Sequence, residues 1–501
     1  MGSWLHRNSV FDASHKSGVK IANDHGMHWL MAGIFIIGDM MGGGMIALPI
    51  AMSNTGLVAG LIILLAASIF SAYTGIQLSE NWCMMQRRWP EVYQKEICRK
   101  PYPEMAYRAF GEKGRFLESI NLSITQFMIA TVLIQLCARN LTTLINVFFK
   151  THIEFCVFIV VVVVIVWPFI MLKSPNDFWP AACLAAASSI LAACLMVVGS
   201  SIDMQECRKE IAYPEVTFKN FFLAYGTIVF AFGGHGAFPS FQTDMRKPYH
   251  FNRSVIYSYL LITFFYFLIP IVGFEAYGNS MVDTIIPSIQ TTWISQSVNI
   301  LITLHVMPTV IIVFSPLSQQ VEEWTRVPQS FGIRRVIVRS ALLGASLFVA
   351  LSLPNFGIFL DLVGATTISL GTMILPAVFW MFIKASEKKR NHMIQNGQLS
   401  KGAPDDQHAS IMDIWRYVDK KIIIWNILVL AFGISGGICS TYSAITEFAG
   451  ANFEAPCYVN WIKNGIHMQG ASGGSVNCCG GYKNISVYHL DPSKICSIHG
   501  N

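Results

Sequence analysis

Eleven apolar runs, most of them close to 20 residues long, divide the chain. They fall near 29–52, 57–79, 118–139, 153–172, 179–199, 219–241, 255–277, 293–316, 336–354, 357–383 and 422–449. Roughly 20 apolar residues of helix cross a bilayer core. Inside it only helices and closed barrels satisfy every backbone group. The runs are continuous and lack the alternation over about ten residues that marks barrel strands. The expected fold class is therefore an all-α integral membrane protein with eleven transmembrane helices. The pattern sets three regions: a polar tail at 1–28, a membrane domain at 29–449 and a Gly- and Cys-containing tail at 450–501.

Two of these runs are broken in the same style. The first carries "GDMMGGGMIALP", Gly38 to Pro49, and the sixth carries "YGTIVFAFGGHGAFP", Tyr225 to Pro239. They lie five runs apart, and an odd repeat enters the membrane in opposite directions in its two copies. That arithmetic predicts a 5+5 inverted repeat, approximately 29–199 and 219–383, with 422–449 as an extra helix. Gly/Pro-interrupted segments in corresponding positions of two halves point to a transporter's central site. The competing explanation for the glycines is close helix packing.

An unwound turn at membrane depth leaves N–H and C=O groups that cost several kcal/mol each if unpaired. A small zwitterion satisfies both kinds. The N–H groups around Gly43, Gly44 and Met45, at a half-helix start, are expected to take a carboxylate. The carbonyls around Phe232, Gly233 and Gly234 are expected to take an ammonium. With Gly42, these residues form the predicted substrate site.

The quoted stretches, extended to "GDMMGGGMIALPIAMSNTG" and "FAFGGHGAFPSFQTDMRKPYHFNRSV", resemble the first- and sixth-span signatures of the amino acid/auxin permease family. "SLPNFGIFLDLVGATTISLGTMILPAVFW", Ser352 to Trp380, is similar to that family's ninth-to-tenth-span segment. The resemblance covers roughly residues 27–449. It implies the bacterial leucine-transporter fold and amino acids as substrates, coupled to protons or sodium or exchanged. Where relatives usually carry Asn before the first break, this chain has Asp39.

A carboxylate at membrane depth is costly as an ion, so Asp39 is expected to gain and lose a proton during transport. The alternatives are a sodium ligand, together with Ser297 or Thr303, or a purely structural carboxylate. His235, at the second break, suits proton relay or gating by its ordinary pKa near 6.5, with a packing role as the alternative. His305 reads as structural. Asp244 with Arg246 or Lys247 reads as an inner-gate ion pair, or as basic anchoring at the membrane face. No charged group other than Asp39 and His235 stands at the breaks, which favours small, neutral amino acids.

Charge settles the expected orientation. With a cytoplasmic N-terminus the inner segments hold 26 Lys and Arg and the outer ones 6, as the positive-inside rule requires. The net charge of +6 follows from that bias and calls for no nucleic acid. The C-terminal tail then lies outside the cell or in a lumen, of the plasma membrane or of a lysosomal or vesicular one. It carries the glycosylation pattern "NIS" at Asn484. Its Cys457, Cys478, Cys479 and Cys496, with Cys207, are candidates for disulfides. The seven other cysteines are expected to be inert thiols, and the 80–117 segment a solvated connector. Glu275, Glu447 and Asp361 are expected at the interface. The partners expected are a small amino acid and the bilayer, with no cofactor beyond a coupling proton or sodium, and a monomer. Nothing in the sequence argues for an enzyme. Rival readings are a sodium-coupled symporter, a non-transporting amino-acid sensor and a channel.

Overall fold

Interrupted helices meet at the centre of a helical membrane domain. The computed structural model describes residues 26–94, 98, 100–151, 153–171, 179–328, 332–400, 402–450, 455–464 and 477–487. Residues 1–25 of the expected N-terminal tail, and Cys496, lie outside the described residues. The first apolar run forms α1 (Trp29–Met40) and α2 (Gly43–Thr55), bent by 54° at the break. Next come α3 (Leu57–Arg88), α4 (Pro101–Phe149), α5 (Phe155–Ile170) and α6 (Trp179–Cys207). The sixth run forms α7 (Phe218–Ala231) and α8 (Phe238–Thr243). It is followed by α9 (Phe251–Tyr277), α10 (Thr292–Trp324) and α11 (Ile333–Ser352). Then α12 (Phe356–Val363) passes through two π-helical turns, Gly364–Ile368 and Leu370–Ile374, into α13 (Leu375–Gln395). Short α14 (Ile411–Tyr417), long α15 (Lys420–Ala449) and α16 (Cys457–Asn464) complete the order.

Eight described helices are long and apolar enough to cross a bilayer, and the bent α1–α2 pair makes a ninth. Helices α5 and α7 are shorter apolar helices. Burial is arranged for lipid rather than water. On α3 the exposed stripe is Val58, Ile62, Leu65 and Ile69, while Ser71, Thr74 and Gln77 face inward. Small residues let the central helices touch. A Cβ on Gly364 would overlap the carbonyl oxygen of Gly226, and one on Gly226 would overlap that of Asp361. The α7–α12 crossing therefore excludes a side chain at either glycine.

Three expectations change. The 80–117 segment is not a solvated connector. Helix α3 runs on to Arg88, and α4 starts at Pro101 and kinks at Gly111, whose φ is +74°. Trp82, Tyr93, Tyr102 and Met105 build a second core with Phe379, Ile383 and Ile414. Hydropathy marks only the lipid-crossing part of such helices, so their amphipathic ends read as loop. Asp361 is not interfacial: it is buried and accepts a hydrogen bond from Thr227 of α7. Glu275 and Glu447 pair with Arg208 and Lys219. Cys156 is not an inert thiol, because α5 begins one residue before it, which puts it at a helix end opposite Cys457. The disulfides Cys156–Cys457 and Cys207–Cys479 result, and Cys478 is also disulfide-bonded.

The second of those bridges fastens the 477–487 segment over the connector 278–291. Asn477 donates its N–H to the Pro287 carbonyl at 2.7 Å, and Gln290 Nε2 donates to the Asn477 carbonyl at 2.6 Å. The connector is tied inward as well. Ile285 N–H donates to the Ile46 carbonyl of α2 at 3.0 Å, and Arg139 of α4 pairs with Asp283.

Candidate functional site

Helix α1 ends where Met41 N–H bonds the Ile37 carbonyl at 2.9 Å, and Gly42 N–H turns back to Met40 at 2.9 Å. Helix α2 then starts at Gly43, so Gly43 and Gly44 present first-turn N–H groups with no intrahelical acceptor. Met45 departs from expectation: its N–H closes a tight turn onto the Gly42 carbonyl at 3.2 Å. Gly44 faces α7 at the other break, where a Cβ would stand 2.5 Å from Ala231 Cα. That glycine is required by helix packing, whereas a Cβ on Gly43 would meet leucine methyls alone, Leu136 at 3.1 Å and Leu133 at 3.9 Å.

The second break is partly satisfied by its own turns. The Phe232 carbonyl accepts from Gly234 N–H and the Gly234 carbonyl from Ala237 N–H, each at 3.1 Å. Among the described residues nothing donates to the Gly233 carbonyl, so of the three expected acceptors it is the one left for a ligand. The two breaks share a residue that the sequence did not single out. Tyr266 of α9 places its hydroxyl 2.7 Å from the Met40 carbonyl and 2.9 Å from the Ala231 carbonyl. A tyrosine in an aromatic-rich apolar run carries no local signal, and only the crossing of α9 behind both breaks reveals it.

A cavity of about 50 Å³ lies between the breaks. It is lined by Asp39, Gly42, Gly43, Gly44 and Gly233, with Phe230, His305 and Thr309 among the other walls. One water needs about 10–15 Å³ by this measure, so three to five atoms of water size fit. Asp39 makes no hydrogen bond or ion pair with a described side chain. Its Oδ2 lies against main chain, 2.8 Å from where a Cβ of Gly234 would be.

The two histidines stand on different sides of the second break, and His235 takes the packing alternative. His235 is buried on the far side of the second break, with Nε2 3.0 Å from the Ser71 carbonyl and 3.1 Å from Thr74 Oγ1. A carbonyl only accepts, so that nitrogen carries the proton. His305 faces the cavity, and a Cβ on Gly42 would overlap its Nε2. Its Nδ1 is held by Ser189 Oγ at 3.0 Å. Of the two imidazoles it is His305 that lines the cavity, because α10 turns that face toward the first break.

Ser297 and Thr303 lie on α10 outside the cavity lining, and Thr303 donates to the Asn299 carbonyl at 2.7 Å. Asp244 and Arg246 are exposed and form no ion pair with each other. Main chain joins that end instead: Met27 N–H donates to the Asp244 carbonyl and Arg246 N–H to the Met27 carbonyl, both at 2.8 Å. A polar side chain on a solvated turn gains little by pairing there. Asn484 is exposed in the turn that follows Cys479. Among the described residues no three His, Cys, Asp or Glu side chains converge as metal ligands.

Comparison with known proteins follows the same lines. A family model described as transmembrane amino acid transporter protein matches residues 25–399. Amino acid transporter AVT1E of Arabidopsis thaliana is 25% identical over 427 residues, covering 83% of this chain and 72% of its own length. AVT1B of the same plant is 26% identical over 380 residues, covering 74% of this chain and 66% of its own length, just under two thirds. Two solved structures share the fold at 11% identity. MhsT in complex with L-phenylalanine gives a TM-score of 0.52 over 84% of this chain and 100% of that one. A mutant of the Eremococcus coleocola manganese transporter gives 0.53 over 89% and 94%. One fold carrying such unlike cargo leaves the substrate to be argued from the site.

Proposed function

The chain belongs to the transmembrane amino acid transporter family, a non-enzymatic family, and we propose that it is a proton-coupled secondary active transporter of small, neutral amino acids. It works by alternating access through eleven crossings, arranged as a 5+5 inverted repeat with α15 as the added helix. The N-terminus is cytoplasmic. The disulfide-bearing tail lies on the extracellular or lumenal side, where thiols oxidise; the bridges Cys156–Cys457 and Cys207–Cys479 support that reading.

One observation carries the reading: a single small cavity has opposite polarity on its two walls. On one side are the Gly43 and Gly44 N–H groups at the positive end of α2. On the other is the Gly233 carbonyl. A zwitterion held across them has its carboxylate on the first wall and its ammonium on the second. Glycine, with five heavy atoms, matches what the cavity admits, and alanine adds one more. Phe230, Ile129, Leu133 and Ile368 leave a larger or charged side chain neither room nor a partner. Asp39 and His305 are the titratable groups in contact with this space, and the coupling proton is assigned to Asp39.

Uptake of radiolabelled glycine, alanine, lysine and glutamate into proteoliposomes, under separate proton and sodium gradients, tests this. Inward proton gradients are expected to drive concentrative uptake of the first two. Saturable binding with no flux under any gradient would instead identify a sensor.

A further inference from the structure

We propose that Tyr266 makes this site independent of sodium, its hydroxyl standing at the point between the two breaks where the freed carbonyls would otherwise hold a cation. The inference deepens the transport reading and rests on the paired breaks being the substrate site.

The Met40 and Ala231 carbonyls each close a half-helix, so both lie at negative dipole ends in the centre of the membrane domain. Oxygens converging in this way, next to the Asp39 carboxylate, are the ligand type that hard cations take. Unwound carbonyls at half-helix ends coordinate coupling ions in transporters of broken-helix design. Here a fully buried O–H approaches both, at 2.7 and 2.9 Å. The ring is fixed edge-on against Phe232, with centroids 5.3 Å apart. The hydroxyl therefore cannot swing away without opening the core.

A donor and a cation compete for the same lone pairs. With the hydroxyl present, a cation would have to displace a hydrogen bond and the atom that makes it. On the α10 side His305 presents Nε2 at Gly42, and Thr303 lies outside the cavity lining. At the first break, the Tyr266 hydroxyl and His305 Nε2 thus stand where an ion would need room.

The test compares wild type, Tyr266→Phe and Tyr266→Ser in proteoliposomes, with sodium replaced by choline at fixed pH gradient. Thermal melting of each purified protein in the two salts accompanies the uptake. Wild-type uptake and melting are expected to change less than about twofold and by no measurable shift, respectively. Tyr266→Phe keeps the volume but leaves the buried Ala231 carbonyl without a donor, the Met40 carbonyl retaining only Gly42 N–H, and uptake should fall by about tenfold in both salts. Tyr266→Ser opens space beside the carbonyls, and sodium should then raise uptake severalfold and raise the melting temperature.

Sodium-dependent uptake or melting by the wild type overturns the proposal, as does a Tyr266→Ser protein indifferent to sodium in both readouts. The melting arm reads sodium binding without flux, so failure of the transport reading shows up as absent uptake while the sodium comparison still decides this one.

Discussion

Gly44 and Gly43 are neighbours in sequence but answer to different constraints, and alanine at each separates packing from binding. At Gly44 the new methyl would stand 2.5 Å from Ala231 Cα and 2.8 Å from its Cβ. Ordinary contact begins near 3.4 Å, so the two broken crossings must part by close to 1 Å. The obstacle is backbone and cannot rotate aside. Overpacking of this kind costs about 1–3 kcal/mol, and each 1.4 kcal/mol is tenfold in the balance between the packed and opened arrangements. Gly44→Ala should therefore lower the melting temperature and reduce uptake by about tenfold or more. At Gly43 the methyl meets only the ends of leucine side chains, the nearer at 3.1 Å, so stability should change by less than about 0.5 kcal/mol. That methyl projects into the cavity wall, so the loss should appear as a raised KM for glycine and alanine. The assays are thermal melting in detergent and initial-rate uptake over a substrate series. Equal loss of stability in the two variants, or a Gly43→Ala protein with unaltered KM, would refute the division into a packing glycine and a binding glycine.

Asp39→Asn removes the titratable group from the cavity while keeping its shape; substrate binding should persist and the pH dependence of uptake should vanish, as read by uptake between pH 5 and 8. Cys479→Ser frees the 477–487 segment from α6, so limited proteolysis should cut the tail at protease concentrations that leave the wild type intact, with the membrane domain's melting little altered. Asn484→Gln should abolish an endoglycosidase-sensitive mobility shift if the exposed turn after Cys479 faces the lumen; a shift that persists would place the glycan elsewhere.

The membrane crossings and both breaks were legible because lipid imposes long apolar runs and because glycine and proline disturb such runs visibly. The walls of the cavity were less so. Phe230, Ile129, Leu133 and Ile368 are ordinary apolar residues, and only the packing of α4, α7 and the π-helical turn after α12 selects them. His235 and His305 show the same limit. Position at a break made His235 conspicuous, yet the turn between Phe232 and Phe238 rotates its ring back onto α3, where it meets Ser71 and Thr74. His305 sat in an unremarkable run, and its importance comes from the face that α10 turns to Gly42. The inner connector misled for a different reason. Tyr93, Tyr102 and Met105 are spaced among charges, so hydropathy alone could not distinguish an amphipathic helix at the membrane face from a loop.

Helix α9 explains how a broken crossing stays ordered without being rigid. Near its start Ser254 and Ser258 donate to the Trp29 and Gly33 carbonyls of α1, at 2.7 and 2.9 Å. At its middle Tyr266 reaches both breaks. At its far end Gly273 packs on Pro49, and Ser53 of α2 donates to the Gly278 carbonyl at 3.0 Å. One continuous rod thus grips each half of the first crossing separately and touches the gap between them at a single hydroxyl. A substrate that bridges the start of α2 and the second break adds the bond that the backbone lacks there. On the proposed alternating-access reading, its binding energy would be spent on the relative placement of the two halves. A ligand that occupied only one wall would have no differential affinity for the two placements and could not drive the change, whatever its affinity. N-acetylated or amidated amino acids keep one charge and lose the other. They should bind weakly without being carried, and without accelerating the efflux of preloaded glycine. Counter-flow driven by either derivative would show that one wall suffices.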